Sequence, residues 1–122
     1  MILLTNEDIE PLLSMPECIA AVEAAFADLG KQDAADIPRQ DAIVPLAREG
    51  AVHDLKTMSG SWPRAGIAAI RLNSDIVTGP VIGGKTRRVK VPLSEPGGRY
   101  NGQVLLFSTD TGQLLAIAND GI

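Results

Sequence analysis

Residues 79–92 read GPVIGGKTRRVKVP, and the reading of this stretch decides the fold. Gly79 through Thr86 satisfies, letter for letter, the phosphate-cradling pattern G-x-x-x-x-G-K-[ST]. A working cradle needs a helix that starts at the Lys-Thr pair, so that its first N–H groups and its dipole face the phosphates. It also needs a later apolar strand ending in an aspartate that helps hold magnesium. After Thr86, however, Pro92, Pro96, Gly97 and Gly98 forbid a helix of useful length. Val89 and Val91 alternate with Arg88 and Lys90, which is the period of a strand. The match therefore reads as a glycine-rich excursion between two strands. Nucleotide binding through Lys85 is kept only as a third reading.

Outward from that stretch, the amino-terminal side is helical. Thr5 with Asp8, and Ser14 with Glu17, each place a carboxylate three residues after a hydroxyl, the sign of a helix start. Pro11 limits the first helix to about two turns. In the second helix Ile19, Val22, Phe26 and Leu29 fall on one stripe, and Gly30 supplies a stop. From residue 31 onward prolines and glycines divide the chain into short pieces. The expected strands are Ala42–Leu46, Val52–Met58, Gly66–Ser74, Arg88–Val91, Gln103–Ser108 and Leu114–Ala118. Thr109-Asp110-Thr111-Gly112 joins the last two as a tight turn. Helices first and neighbouring strands afterwards make an α+β fold: two helices, then a mainly antiparallel or mixed sheet that ends in a β-hairpin.

A chain of 122 residues has room for one domain. Phe26, Trp62, Tyr100 and Phe107 are its only aromatics, so the core must come from Ile, Leu, Val and many alanines. Such side chains bury little area each, and a partner surface would help the domain. The net charge of −4 argues against nucleic acid and anionic membrane as partners. The basic run from Lys85 to Lys90 reads as a solvated loop or strand edge. Cys18 stands alone, which excludes an internal disulfide, and no Cys/His set suggests a metal. Without a signal peptide or an apolar run of membrane length, the cytoplasm is the expected compartment.

Several pieces in order resemble one family. MILLTNEDIEPLLSMPECIAAVEAAFADLG at 1–30, IPRQ at 37–40, LKTMSGSWP at 55–63, AIRLNSD at 69–75 and NGQVLLFSTDTGQLLAIANDG at 101–121 are similar to the ornithine cyclodeaminase/mu-crystallin family. The resemblance implies a substrate-binding and dimerisation domain over residues 1–122, whose strands join those of a second subunit in a dimeric barrel. It implies an NAD(P)-dependent enzyme acting on amino acids or on open or cyclic imino acids. The family's dinucleotide-binding Rossmann domain would follow, yet the sequence ends at Asp120-Gly121-Ile122 and contains no G-x-G-x-x-G. NAD or NADP is thus expected on a missing domain and none on this chain, which alone is expected to be inactive. A non-catalytic module that binds a small acid or dimerises is the alternative.

Three residues carry the expected substrate site. Arg39 matches the family arginine that grips the substrate carboxylate, work that suits a forked, permanently charged guanidinium. Arg71 aligns with the position of a catalytic or substrate-positioning lysine in many members. As an arginine it is expected to bind charge without transferring a proton. Lys56 falls near an acidic residue that ornithine-using members place against the distal amine, and a lysine there would repel that amine. Asp54 would supply the acid if the strand register were shifted. No catalytic residue is assigned, and His53, the single histidine, is read as structural. The span 76–100 looks like a subfamily insertion, with a turn at Pro96–Tyr100 that projects Arg99 and Tyr100.

Overall fold

The structure, a computed structural model, describes residues 1–93 and 100–120. Strand β1 (Ile2–Leu4) leads into a one-turn helix α1 (Asn6–Ile9), a 3-10 turn at Glu10–Leu12 and the long helix α2 (Met15–Gly30). Both helix starts are capped as expected. The Thr5 hydroxyl accepts from the Asp8 N–H at 3.3 Å while the Asp8 carboxylate accepts the Thr5 N–H at 2.9 Å. The Ser14 hydroxyl accepts from the Glu17 N–H at 3.4 Å, with Pro16 in the first turn. Pro11 tightens the end of the first helix into the 3-10 turn, and Gly30 is still helical. The left-handed residue after α2 is Gln32, at φ 65°.

The strands that follow are longer than the sequence suggested: β2 (Ala35–Pro45), β3 (Ala51–Trp62) and β4 (Ile67–Thr78). β2 absorbs the Ile37-Pro38-Arg39-Gln40 segment because its register slips between Ile37 and Gln40 and because it lies at the sheet edge. There a proline costs no ladder bond. Residues 81–86 form a small hairpin, β5 (Val81–Ile82) and β6 (Lys85–Thr86), closed by Gly83 and Gly84 at φ 58° and 75°. Among the described residues no helix follows Thr86. β7 (Val89–Lys90) comes next, then β8 (Asn101–Ser108) and β9 (Leu114–Asn119), turned by Gly112 at φ 73°. The expected turn at Pro96 to Arg99 lies outside the described residues.

Among the described residues the strands make a mixed sheet in the order β1-β9-β8-β4-β3-β2, antiparallel except for the β1–β9 pair. β7 pairs with the end of β4, Val77 opposite Lys90, and so extends the lane that β8 occupies further along β4. This is the α+β class expected from the sequence.

Helix α2 is tied to the sheet by one buried group. Asp28, 3% exposed, accepts from Trp62 Nε1 at 2.6 Å and pairs with Arg64 Nε at 2.7 Å. Asp28→Ala leaves the indole N–H without its charged acceptor. It should lower stability by about 2 kcal/mol, measured as a shift of the urea midpoint. Along the apolar stripe of α2, Ile19, Val22 and Phe26 are exposed, while Leu29 is half-buried. The accessible surface is 8700 Å², whereas a compact monomer of this mass shows about 6300 Å². No helix is long and apolar enough to cross a membrane among the described residues.

Candidate functional site

The polar centre lies where β3, β4 and β7 meet. Antiparallel register sets Asp54 opposite Asp75 and Lys56 opposite Asn73, all on one face of the sheet. All four are buried, with Asp54 fully inaccessible and Lys56 at 8%. Lys56 Nζ donates to Asp75 Oδ2 at 2.6 Å and stands 3.5 Å from Asp54 Oδ2. Lys90, delivered by β7, reaches the same Asp75 oxygen at 3.2 Å and lies over the Tyr100 ring. Burial alone would push the Asp75 carboxyl up, but the bonds from Lys56 and Lys90 outweigh it and hold the group below its ordinary value. Among the described residues, no group of three or more His, Cys, Asp or Glu is placed to hold a metal.

Arg39 enters from β2. Its Nε and Nη2 grip the two Asp41 oxygens at 2.6 and 2.5 Å, a fork-to-fork pair two residues apart on an edge strand. That pair raises the Arg39 guanidinium and lowers the Asp41 carboxyl, and Asp54 and Asp75 add to the field on Arg39. Arg39, Asp54, Lys56, Arg88 and Lys90 line a cavity of about 240 Å³ floored by Val77. Two of the expected site residues, Arg39 and Lys56, are thus brought together.

Arg71 lies elsewhere. It pairs with Asp120, its side chain is 44% exposed, and it lines a neighbouring space of about 350 Å³ with Met58 and Val104. Arg39 lines both spaces. Asp54 needs no register shift to join Lys56, since residues two apart on a strand share a face. The basic run from Lys85 to Lys90 was read from sequence as a solvated loop or strand edge; Arg88 is 66% exposed and Lys90 lies on β7, and both also line the cavity. The signal was present in their period of two: Lys90 stands opposite Val77 on β4 and so falls on the face of the sheet that carries Asp54, Lys56 and Asp75. His53 Nε2 meets the Ser74 hydroxyl at 2.9 Å between β3 and β4, on the opposite face of the sheet.

No family model matches the sequence, and no curated protein matches it either. Solved structures do. A probable ornithine cyclodeaminase from Bordetella pertussis Tohama I superimposes with a TM-score of 0.65 at 21% identity, over 98% of this chain and 30% of that one. An archaeal alanine dehydrogenase dimer with bound NAD gives 0.63 at 23% identity, over 98% and 31%. The iminosuccinate reductase of Paracoccus denitrificans in complex with NAD+ gives 0.61 at 18%, over 98% and 32%. The chain therefore shares the fold of ornithine cyclodeaminase, alanine dehydrogenase and iminosuccinate reductase, and spans about a third of the length of each.

Proposed function

We propose that this chain is the substrate-binding and dimerising part of an NAD(P)-dependent oxidoreductase or deaminase of the ornithine cyclodeaminase/mu-crystallin kind. Its substrate is an amino acid or an open or cyclic imino acid, and its compartment the cytoplasm. One observation carries the reading: Arg39 and Lys56, from adjacent strands, line one small cavity. The Arg39 fork already holds a carboxylate in bidentate fashion, that of Asp41, and a substrate carboxylate would meet the same two donors. Lys56 adds a second donor from the floor of the site, and Arg71 binds charge beyond it without moving a proton. The described residues offer no strand, glycine turn and helix of the sort that cradles a dinucleotide. In this reading NAD or NADP is held by a Rossmann domain outside residues 1–122, as supported by the likeness to part of two larger structures solved with NAD bound. A second copy of the chain covers the exposed stripe of α2 and the open edge of β2.

Calorimetric titration with L-alanine tests the site. Arg39→Ala should weaken binding about tenfold to a hundredfold, the worth of a charged hydrogen-bonded pair. An affinity that ignores this substitution would refute the reading.

A further inference from the structure

Asp54 has no part in holding a carboxylate, and its surroundings ask for a donor. It is fully buried in the middle of β3, and neither of its oxygens accepts a hydrogen bond. The nearest cations, Lys56 Nζ and Arg88 Nη2, stand off at 3.5 and 3.8 Å. A carboxylate left in this state is costly, and native structures rarely keep one without a use. Arg88 is in the complementary condition. Among the described residues the acid that its guanidinium approaches is Asp54, at 3.8 Å, and its side chain is 66% exposed at the cavity rim.

Charge narrows the ligand further. Among the described residues, Arg39, Lys56, Arg88 and Lys90 at the cavity are set against Asp54 in its lining and against Asp41 and Asp75, which pair with Arg39 and Lys56, and this leaves one positive charge over. An amino acid with one carboxylate is neutral and would leave that excess in place. A diamino acid would add to it. An amino acid with two carboxylates carries one net negative charge and cancels it, and a volume of about 240 Å³ suits a molecule of that size.

We infer that the cavity takes an amino or imino dicarboxylic acid: one carboxylate on Arg39 and Lys56, the nitrogen on Asp54, the second carboxylate on Arg88 and Lys90. The inference rests on the carboxylate-site reading above and adds the second acid and the nitrogen subsite. Its distinctive part is that β7, within the span that resembles an insertion, selects the substrate.

Calorimetry on the full chain with L-aspartate, L-alanine and succinate tests it. L-Aspartate should bind about tenfold tighter than L-alanine, since it gains one charge-assisted contact. The double variant Arg88→Ala/Lys90→Ala should bring that ratio to about one, and Arg88→Gln alone should reduce it. Asp54→Asn should weaken L-aspartate while leaving succinate, which has no nitrogen, no weaker. If both amino acids bind equally and both need Arg39, the dicarboxylate inference falls and the carboxylate site stands. A preference that survives the double variant also overturns it. If no ligand binds, or none depends on Arg39, both readings fall.

Discussion

Lys56→Met should cost about 3 kcal/mol of stability and reverse the sign of its pH dependence. Lys56 is 8% exposed and stands between two buried carboxylates, at 2.6 Å from Asp75 and 3.5 Å from Asp54. Methionine keeps the length of the side chain and removes the charge, so packing is nearly preserved while both acids lose their central counter-ion. Removing one partner of a buried pair costs about 3–5 kcal/mol, and the lower figure applies because Lys90 still faces Asp75.

The pH dependence separates this cause from a packing defect. In the native chain Asp75 sits below its ordinary value of 3.8. Its contribution is therefore present above the unfolded value and lost as pH falls through the folded one, where the unfolded state binds more protons. In Lys56→Met two facing carboxylates share a buried site, which raises at least one of them above its unfolded value. The folded state then binds the extra proton, and stability should increase as pH drops from about 7 to 5. Urea midpoints at the two pH values, at one protein concentration, decide the matter. A loss below about 0.5 kcal/mol, or a variant that gains nothing on acidification, would show that the network carries no such weight.

Much of this architecture is legible in the sequence because local chemistry writes it there. Thr5, Ser14 and Pro16 mark helix starts by bonds made within three residues. Pro92 and the alternation of Val89 and Val91 rule out a helix after Thr86 without any tertiary knowledge. Gly112 marks the last hairpin by the backbone it permits. The candidate site is legible only in part, since a cavity depends on register between strands distant in sequence. Arg39 and Lys56 were singled out, but their convergence required Asp41 to pair with Lys56 across β2 and β3. Arg71 shares the face of Lys56 two rungs along, opposite Met58, and so opens on a different space. Arg88 and Lys90 were passed over because net charge describes a run and not the partner strand it lands on.

The apolar stripe of α2 raises the same question at a larger scale, because periodicity shows that a face is apolar and not which molecule covers it. Ile19, Val22 and Phe26 stand 60%, 54% and 67% exposed on one side of a helix anchored through Asp28. β2 adds an open edge of eleven residues on which Ile37, Ile43 and Val44 are also exposed. A surface roughly a third larger than that of a compact monomer, with an apolar helix stripe and a strand edge among its exposed parts, supports the proposal that a second copy covers this side. Phe26→Asp should therefore split the proposed homodimer. Burying a carboxylate in place of a ring costs roughly 4 kcal/mol of association, or about a thousandfold in the dimer dissociation constant. Analytical ultracentrifugation should find a dimer for the unaltered chain and a monomer for the variant at micromolar concentration. The melting temperature should rise with protein concentration in the first case and stay constant in the second. If the unaltered chain sediments as a monomer and melts independently of concentration, the stripe is no interface between copies. The Asp28 anchor would then be holding an apolar helix in water, which the burial of an acid with only two donors does not offset.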